Sequence, residues 1–187
     1  MTLAQSVAKY IIMKNQQLAF TLIELLVTIA VASIIMVVAV PNMRSTINSN
    51  RITTKTNEFV STLNYARSEA ITRSGTQIVI QPVDSDGNVL ESPPADNQWG
   101  QGWRVWVDEN RSNTVDDEEI VRIFQFTDSI KLKQLSGSVP ISYLTRGRIN
   151  GRATFTVCAD NHPLGRTLEI SWIGRVSLTD RHYNCQT

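Results

Sequence analysis

Two hydrophobic rhythms follow one another along the chain and divide it. From Phe20 to Val40 the sequence is apolar on every side: of these 21 residues only Glu24 is charged, and only Thr21, Thr28 and Ser33 are otherwise polar. A helix of that length is about 31 Å long, about the thickness of one bilayer core. Beyond it the apolar residues thin to a stripe at Ile47, Ile52, Phe59, Leu63, Ala66, Ala70 and Ile71, with polar residues such as Asn48, Arg51, Lys55, Glu58 and Arg67 between them. That spacing predicts an amphipathic helix with one face on a core. Gly75, after Arg73 and Ser74, is a stop signal. Pro41 has no N–H to donate and disfavours helix at Val40, so a kink is expected there. The reading is one long, kinked helix over 20–74, half in a membrane and half on a domain.

After Gly75 the rhythm shortens to two. "TQIVIQPV" (76–83), "GWRVWVD" (102–108), "EIVRIFQF" (119–126), "SIKLKQL" (129–135), "VPISYL" (139–144), "RATFTVCA" (152–159) and "TLEISWI" (167–173) read as strands. "RVSLTD" (175–180) follows as a hairpin partner of the last, through Gly174-Arg175. Residues 84–98, with Asp-Gly and Pro-Pro, form a polar loop. Strands after a single helix predict an α+β domain, an antiparallel sheet wrapped on the helix, with no linker dividing it.

Charge adds a second asymmetry. The net charge is +1. Residues 84–119 nevertheless carry ten acids against Arg104 and Arg111, while 146–187 carry six arginines against three acids. Such halves attract one another between neighbouring copies or partners, or are simply two solvated faces. Within the acidic half, Asp108, Asn110, Ser112, Thr114, Asp116 and Glu119 stand at the ligand positions of a calcium loop. Asn113 replaces the glycine of that loop, and the flanks read as strands rather than helices, so a plain hairpin loop is the expected reading and no metal or other cofactor is assigned. His162 and His182 have no nucleophile or carboxylate pattern beside them, and no phosphate-binding glycine loop exists. The chain does not read as an enzyme. Trp99, Trp103, Trp106 and Trp172 serve either core packing or base stacking.

A carboxylate five residues into an apolar helix costs about 2.5–3.5 kcal/mol on membrane-insertion scales. Neither a cleaved secretory signal nor a plain anchor explains Glu24. The segment "AFTLIELL" (19–26), the short basic leader before it and Pro41, 22nd when Phe20 is counted first, resemble the class III signal of type IV pilins and pseudopilins. That resemblance implies cleavage by a prepilin peptidase between Ala19 and Phe20 and methylation of the new amine. Ala19 stands where the family usually has glycine. It implies a leader over 1–19, with Met13 as the expected true start, a transmembrane half over 20–40, an amphipathic half over 41–75 and a β domain over 76–187. It also gives Glu24 a role: a carboxylate that meets the N-terminal amine of a neighbouring subunit during assembly.

Downstream, "LNYARSEAITRSG" (63–75), "GWRVWVDEN" (102–110), "TRGRINGRATFTVC" (145–158) and "EISWIGRVSL" (169–178) resemble the GspH/FimT/FimU branch of pilin-like proteins, FimU-type minor pilins above all. The pilin fold is implied. Cys158 and Cys185 lie on the side that would be exported, where an even pair reads as a disulfide, the alternative being two buried thiols. The function implied is that of a minor pilin of a type IV pilus, working in the initiation or tip complex. Its partners would be other major and minor pilins, the peptidase and the inner membrane; its domain would be periplasmic and then carried on the surface pilus. Two alternatives stay open. One is a GspH-type pseudopilin of type II secretion. The other is a FimT-like DNA receptor in natural transformation, whose Gly-Arg-x-Arg turn is kept here only in part as Gly174-Arg175-Val176-Ser177, leaving Arg175 and Arg181 as candidate DNA contacts.

Overall fold

The computed structural model describes residues 20–73, 75–84, 86–90, 99, 101–125, 130–160 and 162–185, except the side chains at 38, 40–42 and 180–182. The expected leader with Ala19, most of the polar loop over 84–98 and the side chains of Arg181 and His182 therefore lie outside the described residues. The chain divides into two compact units, Met1–Asn42 and Met43–Thr187, the division falling just after Pro41. Helix α1, Leu22–Thr72, is 51 residues long and its helical assignment runs through Pro41. The span expected at 20–40 includes undescribed side chains, and among the described residues no helix is long and apolar enough to cross a membrane.

In the second unit α1 buries Ile52, Phe59, Leu63, Ala66 and Ala70. Thr56 and Thr62 complete the same stripe; both are buried and turn their hydroxyls onto the carbonyls of Ile52 (2.7 Å) and Glu58 (3.0 Å), which satisfies the polar atom inside an apolar face. Ile47 and Ile71, expected on the stripe, are 44% and 55% exposed. The buried positions 52, 56, 59, 63, 66 and 70 alternate steps of four and three; Ile71 stands one residue further round the helix and Ile47 falls off that stepping. The helix ends as the sequence predicts: Gly75 takes φ +86°, a left-handed value that costs a glycine nothing.

Among the described residues nine strands follow: β1 Gln77–Pro82, β2 Gly102–Asp108, β3 Ile120–Gln125, β4 Ile130–Ser136, β5 Ile141–Leu144, β6 Arg148–Ile149, β7 Ala153–Ala159, β8 Leu164–Ile170 and β9 Val176–Asn184. They form two antiparallel sheets rather than one. The first has the order β3-β2-β1-β5-β6 and the second β4-β7-β8-β9. The chain changes sheet between β3 and β4, because β4 pairs with β7 along its whole length. The two-residue β6 had no strand signal in the sequence. β8 lies earlier than the apolar run at 167–173 suggested: Ser171 leaves the ladder, and its N–H donates to the carbonyl of Arg175 (2.9 Å) to open the turn into β9.

Both sheets contribute inward side chains to one core around the α1 stripe, among them Ile78, Ile80, Val105, Leu132, Val157 and Leu168. Its centre is aromatic. Phe59 meets Trp99, Trp103 and Phe155 edge-on, with ring centres 5.9, 4.8 and 5.0 Å away. The indole of Trp99 donates to Gln134 Oε1 on β4 at 3.0 Å, so its one polar atom is satisfied inside the core.

Candidate functional site

Three places carry the residues singled out by the sequence. At the start of α1, Phe20 is 80% exposed and the apolar side chains from Leu22 to Val37 are all outward-facing. The hydroxyls of Thr28 and Ser33 there are turned inward onto the helix itself. Thr28 donates to the carbonyl of Leu25 (2.8 Å) and Ser33 to that of Ala30 (2.7 Å), so the hydroxyls are satisfied and the surface offered is hydrocarbon. Glu24 is exposed and makes no ion pair among the described residues. Its backbone N–H donates to Thr21 Oγ1 at 3.3 Å. Thr21 is thus a helix-capping residue that the reading of the apolar run passed over; the Thr-x-x-Glu pattern at 21–24 is the signal that finds it.

The second place is the disulfide. Cys158 on β7 and Cys185 just beyond β9 are bonded, with Cα atoms 5.8 Å apart. Between their strands runs β8, where Gly165 leaves room for the bridge: a Cβ there would stand 2.6 and 2.9 Å from the two sulfurs. The backbone N–H of Cys185 also donates to Pro163 (3.1 Å), so the end of the chain is tied twice to the second sheet. Replacing both cysteines by serine is expected to lower stability by about 3–3.5 kcal/mol, from the loop entropy released over a separation of 27 residues. Urea unfolding of the double variant beside the parent checks this; a loss below about 1 kcal/mol would contradict it.

The third is the loop from Asp108 to Glu119. Its calcium-type spacing does not gather its carboxylates. Asp108 is buried and accepts from Gln77 Nε2 across the sheet (2.9 Å). Glu119 is already filled by backbone N–H groups of Glu109 (3.0 Å), Asn110 (3.4 Å) and Asp116 (3.3 Å). Asn110 donates to Asp116 (2.9 Å), and Ser112 N–H donates to Asn110 Oδ1 (2.8 Å). Asn113 takes φ +58°, the left-handed role expected of it. Among the described residues no group of three or more acidic, histidine or cysteine side chains is placed to hold a metal. The loop holds itself: one carboxylate collects the N–H groups that a hairpin of this length leaves over.

The remaining candidates separate. His162 donates from Nδ1 to the carbonyl of Leu164 (2.8 Å), and its Nε2 lies 3.3 Å from Ser49 Oγ, a turn residue tying the second sheet to α1. Trp99, Trp103 and Trp106 are buried, whereas Trp172 is 51% exposed with the guanidinium of Arg148 5.1 Å from its ring centre. Arg175 is exposed in the β8–β9 turn. Below this turn Tyr143 is fully buried, and burial pushes its phenol far above the usual range against the opposing pull of Arg67.

Compared with known proteins, residues 55–174 match the family model described as type II transport protein GspH. Residues 14–40 match that of the prokaryotic N-terminal methylation motif. Two crystal structures of the type IV minor pilin FimU of Pseudomonas aeruginosa are similar. One is 23% identical, with a TM-score of 0.55 over 73% of this chain and 96% of that one. The other is 25% identical, with a TM-score of 0.50 over 69% and 95%. No curated protein sequence matches. The first likeness concerns the fold alone: one helix packed on antiparallel sheets.

Proposed function

The chain belongs to the GspH family, whose model covers well over half of it, and on that footing we propose that it is a minor pilin of a type IV pilus, assembling through α1 into the initiation or tip complex. The observation that carries this is the methylation motif over 14–40 running into a helix whose apolar side chains from Leu22 to Val37 are exposed around the single carboxylate of Glu24. Such a surface is stable only in lipid or against other helices. A folded domain on the far half of the same helix is what a subunit needs to pass from one to the other. In this reading the peptidase cuts before Phe20, the subunit waits in the inner membrane with its domain periplasmic, and α1 then moves into a filament of pilins. Glu24 supplies the carboxylate that attracts a neighbour's Phe20 amine, an attraction far stronger in an apolar surrounding than in water.

The mature protein is expected to begin at N-methylated Phe20. Intact mass of the protein purified from membranes measures this; a retained leader, or a cut near Ala39, refutes it. Assembly is tested by sheared pili, which should contain the protein. Its presence only in strains running type II secretion would favour the pseudopilin reading, for which the description of the family model speaks. A DNA-receptor role has the exposed Trp172 and Arg175 in its favour. A gel shift with duplex DNA decides it.

A further inference from the structure

The end of β2 leaves half a carboxylate unused. Asp108 is 1% exposed; its Oδ2 accepts from Gln77 Nε2 (2.9 Å), while its Oδ1 is buried and accepts no hydrogen bond among the described residues. Gln77 has nothing further to give, because its amide nitrogen also donates to Asn113 Oδ1 (2.7 Å) and both of its N–H groups are then used. A carboxylate oxygen taken out of water with nothing in exchange is a costly group to bury. Arg67 and Arg104 also keep a buried atom without a partner, but in each it is an N–H group. Asp108 is the side chain that needs a donor, and it lines a cavity.

That cavity measures about 240 Å³ and lies where the end of α1 meets β1, β2 and the acidic loop. Gly75, Thr76, Arg111, Leu144 and Thr145 line it with Asp108. It holds several times the volume of a water molecule, so one ordered water does not fill it. Arg111 is a cation in its wall, yet it is engaged elsewhere. Its Nε donates to the carbonyl of Gly75 (3.2 Å), and its guanidinium lies so close over Gly75 that a Cβ there would stand 2.8 Å from Nη2. It makes no ion pair among the described residues. A divalent metal ion is a poor match, since it would meet one carboxylate and a guanidinium where such ions gather several oxygens. A singly charged donor fits better. Asp108 Oδ1 and the hydroxyls of Thr76 and Thr145 offer three acceptors for the three N–H groups of an ammonium. Leu144, 40% exposed, offers an apolar wall for the stem that carries it.

We infer that this cavity receives the ammonium of a lysine side chain from a different pilin, seated on Asp108. Lysine fits better than arginine, whose five N–H groups would outnumber these acceptors and whose planar head would meet the guanidinium of Arg111. The loop that supplies Asp108 also exposes Asp116, Asp117 and Glu118. A field spread over several carboxylates guides an extended basic surface to the cavity, which a lone small amine cannot exploit, so the ammonium is assigned to a protein partner. Such a contact is made once, between unlike subunits, as suits a minor subunit. The inference rests on the assembly reading above and names the chemistry by which the domain selects its neighbour.

The test uses the full chain in detergent micelles with methyl-labelled leucine, and n-butylammonium, the end of a lysine side chain, as the probe. The methyl resonances of Leu144 should shift on titration, while those of Leu164, exposed on the second sheet, stay still. Butanol, of the same shape without the charge, should do nothing. Asp108→Asn should weaken the response about tenfold. If that variant fails to fold, Thr145→Lys takes its place: it supplies an ammonium from the wall itself and should block the probe with Asp108 intact. In cells, Thr114→p-benzoylphenylalanine puts a photo-crosslinker next to Asn113 on the cavity wall. Light should join it to a different pilin, in a peptide containing a lysine whose change to methionine lowers the yield about tenfold. No response at Leu144, an equal response to butanol, a crosslink only to a second copy of this chain, or one indifferent to the partner's lysine overturns the inference. Processing at Phe20 is read in the same cells by mass. Its failure speaks against the pilin reading, while its success with no such crosslink speaks against this contact alone.

Discussion

Phe59→Ala should unfold the domain more readily than any surface change, at a cost of about 3–5 kcal/mol. The side chain is fully buried and touches Trp99, Trp103 and Phe155, each edge-on. Truncation therefore removes apolar area, three aromatic contacts of about 0.5–1.5 kcal/mol each in favourable geometry, and the filling of the space between two sheets. Neighbouring rings cannot collapse freely into the gap, since Trp99 is tethered through its indole to Gln134 and the backbone of Trp103 is held on β2 between Pro82 of β1 and Phe124 of β3. Domains of this size are stable by about 5–15 kcal/mol, so the variant should retain only part of its margin. Denaturant unfolding of the parent, Phe59→Leu and Phe59→Ala measures it, with leucine intermediate. Tyr65→Ala, on the same helix but 41% exposed, is the control and should change stability by about 0.5 kcal/mol or less. Equal effects at the two positions would mean that α1 does not pack as described.

Glu24→Ala should act on assembly and leave stability of the domain untouched. Removing the carboxylate makes the helix more apolar, so the amount of protein in the membrane should stay the same or rise. What is lost is the partner for a neighbour's Phe20 amine. A buried charge left without its partner costs about 3–5 kcal/mol, enough to remove the subunit from a filament. The protein is quantified in membranes and in sheared pili, with piliation scored in parallel. Normal incorporation would mean that Glu24 receives no amine, as expected for a subunit at the very tip, where one side of the interface is missing. Thr21→Ala separates the capping role of this segment from the charge. It removes the hydroxyl that accepts from Glu24 N–H, at about 1 kcal/mol of local helix stability, and should leave incorporation intact.

Much of this molecule is local, and local features are legible. The apolar run and the stripe after it are periodic over dozens of residues, so the helix could be read to within two residues at each end. Gly75 and the Gly174-Arg175 turn carry their own backbone chemistry and behave as their residue types demand. The acidic hairpin was readable as a loop for the same reason. Its calcium spacing does not say what each carboxylate faces; Glu119 faces backbone N–H groups and Asp108 faces Gln77.

What no stretch of residues could say is which distant partners meet. Alternation marks β4 as a strand, but only the match to β7 decides that it leaves the first sheet, a pairing between segments some twenty residues apart. Four tryptophans look alike in the sequence; Trp99 and Trp103 became core around α1, Trp106 is buried on the other side of β2 with its indole on Gln81, and Trp172 stayed outside because its turn is propped on Gly147. The sequence by itself determined the helix, its apolar entry, the strands and the candidate disulfide, because propensity, period and cysteine pairing are properties of near neighbours and composition. Sheet membership and the aromatic centre were decided by the tertiary structure, because each is a relation between residues that only folding brings within contact distance.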